Sequence, residues 1–350
     1  MFMQTLRKAL SQCILLLCAT MAMGAAAQDY PKLKLRLAHF LPPNFTGSII
    51  DQWFVDEVKK RSGGNIEIQI FWAGSLGRPT ELLTLVRSGA VDLAATGTGY
   101  YPNEMPLSSI VQGVPLTFDD NEQATRISKM LFETKPALQA ELSRNGIHPV
   151  FWHSLDGYRP LCKKKLETLA DFKGTRMRGF GELLPKMWSA LGATPVNVLP
   201  AELYEALSRG TLDCAFWAYD LLHAGKLHEV GKFTTDLHFG AYVNYPIMAS
   251  VKVWESWPPQ VKKLMAEVGL EAMERDIKLV QQKGREARED MLRNHGVQEV
   301  VFKERDKLMA AIPDLQDAWI KSMAAKGLEK EAQDLIATIR AEKAKRPAAR

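Results

Sequence analysis

The chain has 350 residues, 46% of them hydrophobic and 24% charged, with a formal net charge of +5. That length exceeds one ordinary domain and the apolar share can fill a sizeable core, so two lobes are expected. The mild positive charge forms no basic stripe, which excludes nucleic acid as the organising partner.

The chain opens with Arg7 and Lys8, an apolar run from Cys13 to Ala19, and the small residues Gly24-Ala25-Ala26-Ala27. This reads as residues 1–27 forming a secretory signal peptide cleaved after Ala27. Leu17 is too bulky for a lipid anchor at Cys18. No later stretch reaches the roughly 18 uninterrupted apolar residues that a membrane helix needs, so a periplasmic chain is expected. Cys162 and Cys214 then remain, and free, buried cysteines are expected rather than a bridge.

LKLRLAHF (33–40) alternates as a half-buried strand, Ser48 to Arg61 carries a helical apolar stripe, and IEIQIFW (66–72) alternates again. This β-α-β order predicts an α/β fold with parallel strands. ELLTLVRSGAVDLAATG (81–97) and ELYEALSRGTLDCAFWA (202–218) align without a gap, each reading as helix, glycine cap and short strand. One copy per half suggests two similar lobes, although helix-glycine-strand is also a common connection. A helix is predicted over 121–143, strands over 241–257, and one long amphipathic helical region over 258–294 able to brace both lobes. The tail beyond Asp314 reads as helical, fraying from Ala341. The lobes are expected at 28–152 and 153–239, with parts of 240–280 and 281–350 returning to the first and second respectively.

No G-x-S-x-G elbow, H-E-x-x-H helix or C-x-x-C pair occurs, and GFGELL (179–184) lacks the third glycine of a dinucleotide loop. His228-Glu229 has no second histidine at ligand spacing, and His153, His223 and His238 read as surface or satisfied core residues. Neither catalytic residue, metal nor cofactor is predicted. The run Lys163-Lys164-Lys165 reads as a solvated loop. In DFKGTRMRGF (171–180), Arg176, Arg178 and Phe180 share one strand face, which could be the wet face of an edge or the wall of an anion site.

LRLAHFLPP, GGNIEIQIFWAGSLG, ELLTLVRSGAVDLA, GYRP, LADFKGTRMRG, LGATPVNVLPAELYEALSRGTLD and YVNYPIMAS stand in one order along nearly the whole mature chain. In that order the chain resembles the solute-binding proteins of TRAP transporters, the DctP-like family. The resemblance implies two α/β lobes around a cleft, crossing strands, a long bracing helix, and delivery of an organic acid to integral-membrane TRAP subunits driven by an ion gradient. It places Arg178 against the ligand carboxylate and Arg159 as a second donor, with Arg176 structural. Relatives carry D-G-x-x-N-P where this chain has Asp213 to Ala218, so Trp217 stands at the position of the asparagine. With Phe180, Tyr219, Tyr100 and Tyr101 it would line an aromatic pocket suited to an apolar monocarboxylate, while Phe216 belongs to the core. Asn103 and Glu104 are the expected polar contacts of the opposite wall. A monomer is expected. The alternatives are a secreted two-lobe enzyme acting on an acidic substrate, and a binding protein serving an ATP-driven importer or a chemoreceptor.

Overall fold

The computed structural model describes residues 29–345, so the signal-peptide reading lies outside the described residues. Eleven strands are described: β1 (Leu33–Ala38), β2 (Ile66–Phe71), β3 (Leu93–Ala95), β4 (Ile147–Leu155), β5 (Arg159–Cys162) and β6 (Arg176–Gly179) come first. They are followed by β7 (Thr194–Asn197), β8 (Cys214–Trp217), β9 (Phe233–Thr235), β10 (Tyr242–Ser250) and β11 (Gln298–Val300). Two sheets result, one ordered β2-β1-β3-β10-β4 and the other β11-β9-β5-β8-β6-β7. The parallel pairs β1/β2, β1/β3, β6/β7 and β6/β8 form the centre of each lobe. Each sheet also takes a strand from the chain's return path, antiparallel β10 in the first and parallel β11 in the second.

The two sequence copies occupy equivalent places. Gly89 and Gly210 cap their helices with φ of 78° and 76°, a left-handed conformation that glycine adopts without a Cβ penalty. Beyond each cap an aspartate locks the next strand in register. Asp92 accepts from the backbone N–H of Arg36 on β1 (2.7 Å), and Asp213 accepts from that of Arg176 on β6 (2.8 Å). The Arg176 side chain also pairs with Asp213 at 2.6 Å. Arg176 is the exposed staple of the repeat.

The helix Pro259–Asn294 packs on the helix Thr46–Arg61, on β4 and on the helix Tyr219–Ala224, and so braces both lobes as expected. Its buried face runs through Val261, Leu264, Val268, Ala272, Asp276 and Val280, the three- and four-residue spacing that one helix face requires. Gly269 lies on this face because a Cβ there would stand 2.8 Å from the carbonyl oxygen of Val150.

Four expectations are corrected. Lys135 breaks the helix predicted over 121–143 into Asn121–Thr134 and Pro136–Arg144, since proline starts a helix more readily than it continues one. The predicted second strand after residue 250 is the short helix Val251–Ser256, and the tail stays helical to Lys345 because Leu335, Ile336 and Ile339 are buried. Cys162 and Cys214 are bridged. They are directly opposed on β5 and β8, a partnership fixed by strand register that their separation of 52 residues does not reveal. Replacing both by alanine is expected to lower stability by about 2 to 4 kcal/mol, read from urea unfolding of the oxidised parent and the variant. Equal midpoints would show that the bridge adds nothing.

Beneath the first sheet a fully buried polar cluster joins four elements. Asp51, on the helix Thr46–Arg61, accepts from Tyr245 of β10 at 2.9 Å and contacts His39 (2.9 Å) and His153 of β4 (3.0 Å). His153 reaches Asp276 of the long helix at 2.8 Å, and Asp276 accepts from the backbone and hydroxyl of Ser154. Burial alone would lower the His153 pKa, but Asp51 and Asp276 raise it to about 10. Burial would likewise raise Asp51, yet His153 and His39 hold it well below the usual carboxylate range.

Candidate functional site

The carboxyl ends of the parallel strands in both sheets face one cleft, the place where open α/β sheets bind ligands. From the second lobe come Arg178 at the end of β6, Phe180 just beyond it, and Trp217 at the end of β8. From the first come Phe40, two residues past β1, and Tyr100, in the turn after β3. Their rings form a continuous wall: Phe40 to Tyr100 at 6.2 Å, Tyr100 to Phe180 at 6.4 Å, and Phe180 to Tyr158 at 6.3 Å between centroids. Phe45 meets Trp217 across the lobes at 5.7 Å.

Arg178 is the centre of this wall and is only 1% exposed. Its Nε donates to the Val198 carbonyl (3.2 Å) and its Nη1 to the Phe216 carbonyl (2.9 Å). The guanidinium carbon lies 5.1 Å from the Phe180 ring centroid and 5.2 Å from that of Trp217. Among the described residues no carboxylate forms an ion pair with it, although the surface arginines around the molecule are widely paired. A cation held by carbonyl dipoles and ring faces in a low-dielectric site attracts an anion far more strongly than one in water. The nearby phenols respond to the same setting. Burial raises the pKa of Tyr100 and of Tyr158 against the opposing charge of Arg178, and with burial prevailing both stay protonated and able to donate.

Arg159, at the start of β5, is cross-strand partner of Trp217. Its guanidinium sits 4.9 Å from the Tyr219 ring centroid, and its Nε is buried without a hydrogen-bond partner among the described residues. Tyr219 spends its hydroxyl on Glu299 (2.7 Å), which also pairs with Arg288, and burial pushes its pKa up to about 12. Arg159 and Tyr219 therefore form a second group beside Trp217. Tyr101 does not join the wall: its hydroxyl donates to the Pro79 carbonyl and accepts from the Leu83 N–H, fixing the loop inside the first lobe. Asn103 is exposed at one mouth of the cleft with Asn197 and Lys326, where a cavity of about 510 Å³ opens. Glu104 is exposed, its backbone carbonyl held by Asn145, and it does not line that mouth. A second mouth, about 540 Å³, lies between Phe40, Phe45, Trp217 and Leu227.

Phe40 and Tyr158 escape a reading of the sequence, but one signal was present. Arg36 and Arg176 serve equivalent aspartates, so Phe40 stands four residues past its arginine as Phe180 stands past Arg176. Across the cleft, Arg78 pairs with Glu202 (2.8 Å) and the Thr46 hydroxyl donates to Asp220 (2.6 Å). Burial raises the Asp220 pKa to about 7.

Residues 37–326 match the model of the DctP family, described as bacterial extracellular solute-binding proteins of family 7. The chain belongs to this family. A solute-binding protein of Albidiferax ferrireducens is 28% identical over 225 residues, 62% of this chain and 64% of that relative's length. A TRAP solute-binding protein from a marine metagenome, described as specific for aromatic acid ligands and holding metahydroxyphenylacetate, superposes with a TM-score of 0.81 at 24% identity, covering 90% of this chain and all (100%) of that one. One from Rhodoferax ferrireducens with copurified benzoate gives 0.80 at 24% identity, covering 89% of this chain and 98% of that one. Other solved proteins of this shape hold galacturonate or glucuronate. These likenesses show the two-lobe fold. As a DctP-family member the chain is a substrate-binding protein and not an enzyme, which removes the secreted-enzyme alternative.

Proposed function

We propose that this protein captures an aromatic or otherwise apolar monocarboxylate in the periplasm and delivers it to the membrane subunits of an ion-gradient-driven TRAP importer. The observation that carries this reading is the buried Arg178 guanidinium, which pairs with no carboxylate among the described residues and sits behind a wall of aromatic rings. A guanidinium fork holds a carboxylate by two parallel charge-assisted hydrogen bonds, which sets the orientation of the acid. The rings then cover its apolar body, and closure of the lobes strengthens the ion pair by excluding water. Tryptophan at position 217 supports an apolar body, because it offers one donor where an asparagine would offer a donor and an acceptor. The two similar structures that hold aromatic acids support the same ligand class. A dicarboxylate is the second reading, favoured by the buried Nε of Arg159, which has no hydrogen-bond partner among the described residues.

Thermal unfolding of the chain from Gln28 onward, freed of carried-over ligand, separates the two. Benzoate or phenylacetate at about a thousand times its dissociation constant should add roughly 4 kcal/mol of stability, with succinate and glucuronate adding far less. Stabilisation by succinate alone would overturn the monocarboxylate reading.

A further inference from the structure

Outside the ligand cleft, three imidazoles and a carboxylate meet where the long helix ends against the second lobe. His223 lies on the helix Tyr219–Ala224, His228 in the turn Leu227–Glu229, Asp290 in the last turns of the long helix, and His295 at its C-cap. The Nε2 atoms of His223 and His295 converge on the same oxygen of Asp290, at 2.8 and 2.9 Å. One ligand atom from each of these three residues falls within 4.8 Å of the others. The ring of His228 stands 4.3 Å from that of His295 and 5.0 Å from that of His223, and its Nδ1 is buried without a hydrogen-bond partner among the described residues. Lys232 ties the two segments together by donating to the carbonyls of His228 and His295. All four groups line one cavity of about 730 Å³.

From this convergence we propose a binding site for a divalent first-row transition ion, with His223, His295 and Asp290 as ligands and His228, outside that 4.8 Å group, as a fourth once its ring moves in. Two or three imidazoles with one carboxylate are the donor set of zinc and its neighbours, not of magnesium or calcium, which take oxygen. The contacts already present are close to what coordination needs. Ligand atoms about 2.0 to 2.2 Å from a zinc ion lie little more than 3 Å apart, so the two nitrogens and the oxygen need only part slightly to admit it. The Nδ1 of His228 is buried without a hydrogen-bond partner among the described residues, a costly arrangement that coordination would relieve. The bound ion would pin the end of the bracing helix to the second lobe, away from Arg178.

The test uses the chain from Gln28 onward, stripped with a chelator that is then removed, and titrates it calorimetrically with Zn²⁺. One ion per chain is expected. His223→Ala and His295→Ala should each weaken uptake by at least about 10-fold, with organic-acid binding retained as evidence of folding. Co²⁺ is the second probe, because intense visible bands from a tetrahedral nitrogen and oxygen site need no variant. No Zn²⁺ uptake, uptake unchanged in both variants, or Co²⁺ without such bands would each overturn the proposal.

Discussion

Replacing Arg178 with alanine is expected to weaken binding of the acid by about 2 to 5 kcal/mol, roughly 30-fold to several thousand-fold, because the ligand carboxylate would be buried without a partner. Arg178→Lys keeps a charge but loses the planar fork, and should recover only part of the affinity. The ligand-free protein should respond in the opposite sense. A cation that is 1% exposed and lacks a carboxylate among the described residues is a cost to the empty state, so Arg178→Met should melt no lower than the parent. Isothermal titration alongside thermal unfolding reads both effects. A variant that loses stability and keeps its affinity would make Arg178 a structural arginine.

The second large effect concerns the buried cluster of the first lobe. Asp51→Ala removes the carboxylate shared by His39, His153 and Tyr245, and should cost about 3 to 5 kcal/mol by leaving a buried charge uncompensated. The pH dependence has a definite sign. His153 is raised to about 10 from an unfolded value near 6.5, so its contribution is complete below about pH 6.5 and is lost as pH rises toward 10. Asp51 is lowered, so its contribution is present above about pH 4 and is lost as pH falls through its folded value. The parent should therefore lose stability between pH 7 and 9.5 at no more than about 1.4 kcal/mol per unit, and His153→Gln should flatten that slope. An unchanged slope in His153→Gln would assign the alkaline loss elsewhere.

What the sequence revealed is what local pattern encodes. Strand alternation located β1 and β2, the spacing of apolar residues located the bracing helix, and the matched aspartates of the repeat marked equivalent turns in both sheets. Arg178 was singled out by resemblance, since alternation alone gives Arg176 and Arg178 the same face and does not tell a staple from an anion site. What escaped depends on contacts between distant segments. The Cys162–Cys214 bridge follows from β5/β8 register, and the His223, His228, Asp290 and His295 cluster from the packing of the long helix against the second lobe. Tyr101 was misplaced for a related reason. Adjacent residues in a turn can point to opposite sides, and only its neighbour Tyr100 reaches the cleft wall.

The most direct test is a crystal structure of the protein with the acid that stabilises it most. The carboxylate is expected within about 3 Å of the Arg178 guanidinium, held by two hydrogen bonds, with the body of the acid against Phe180 and Trp217. An acid bound between the lobes whose carboxylate faces Lys326 or Arg159 and leaves Arg178 on its two carbonyls would contradict the account.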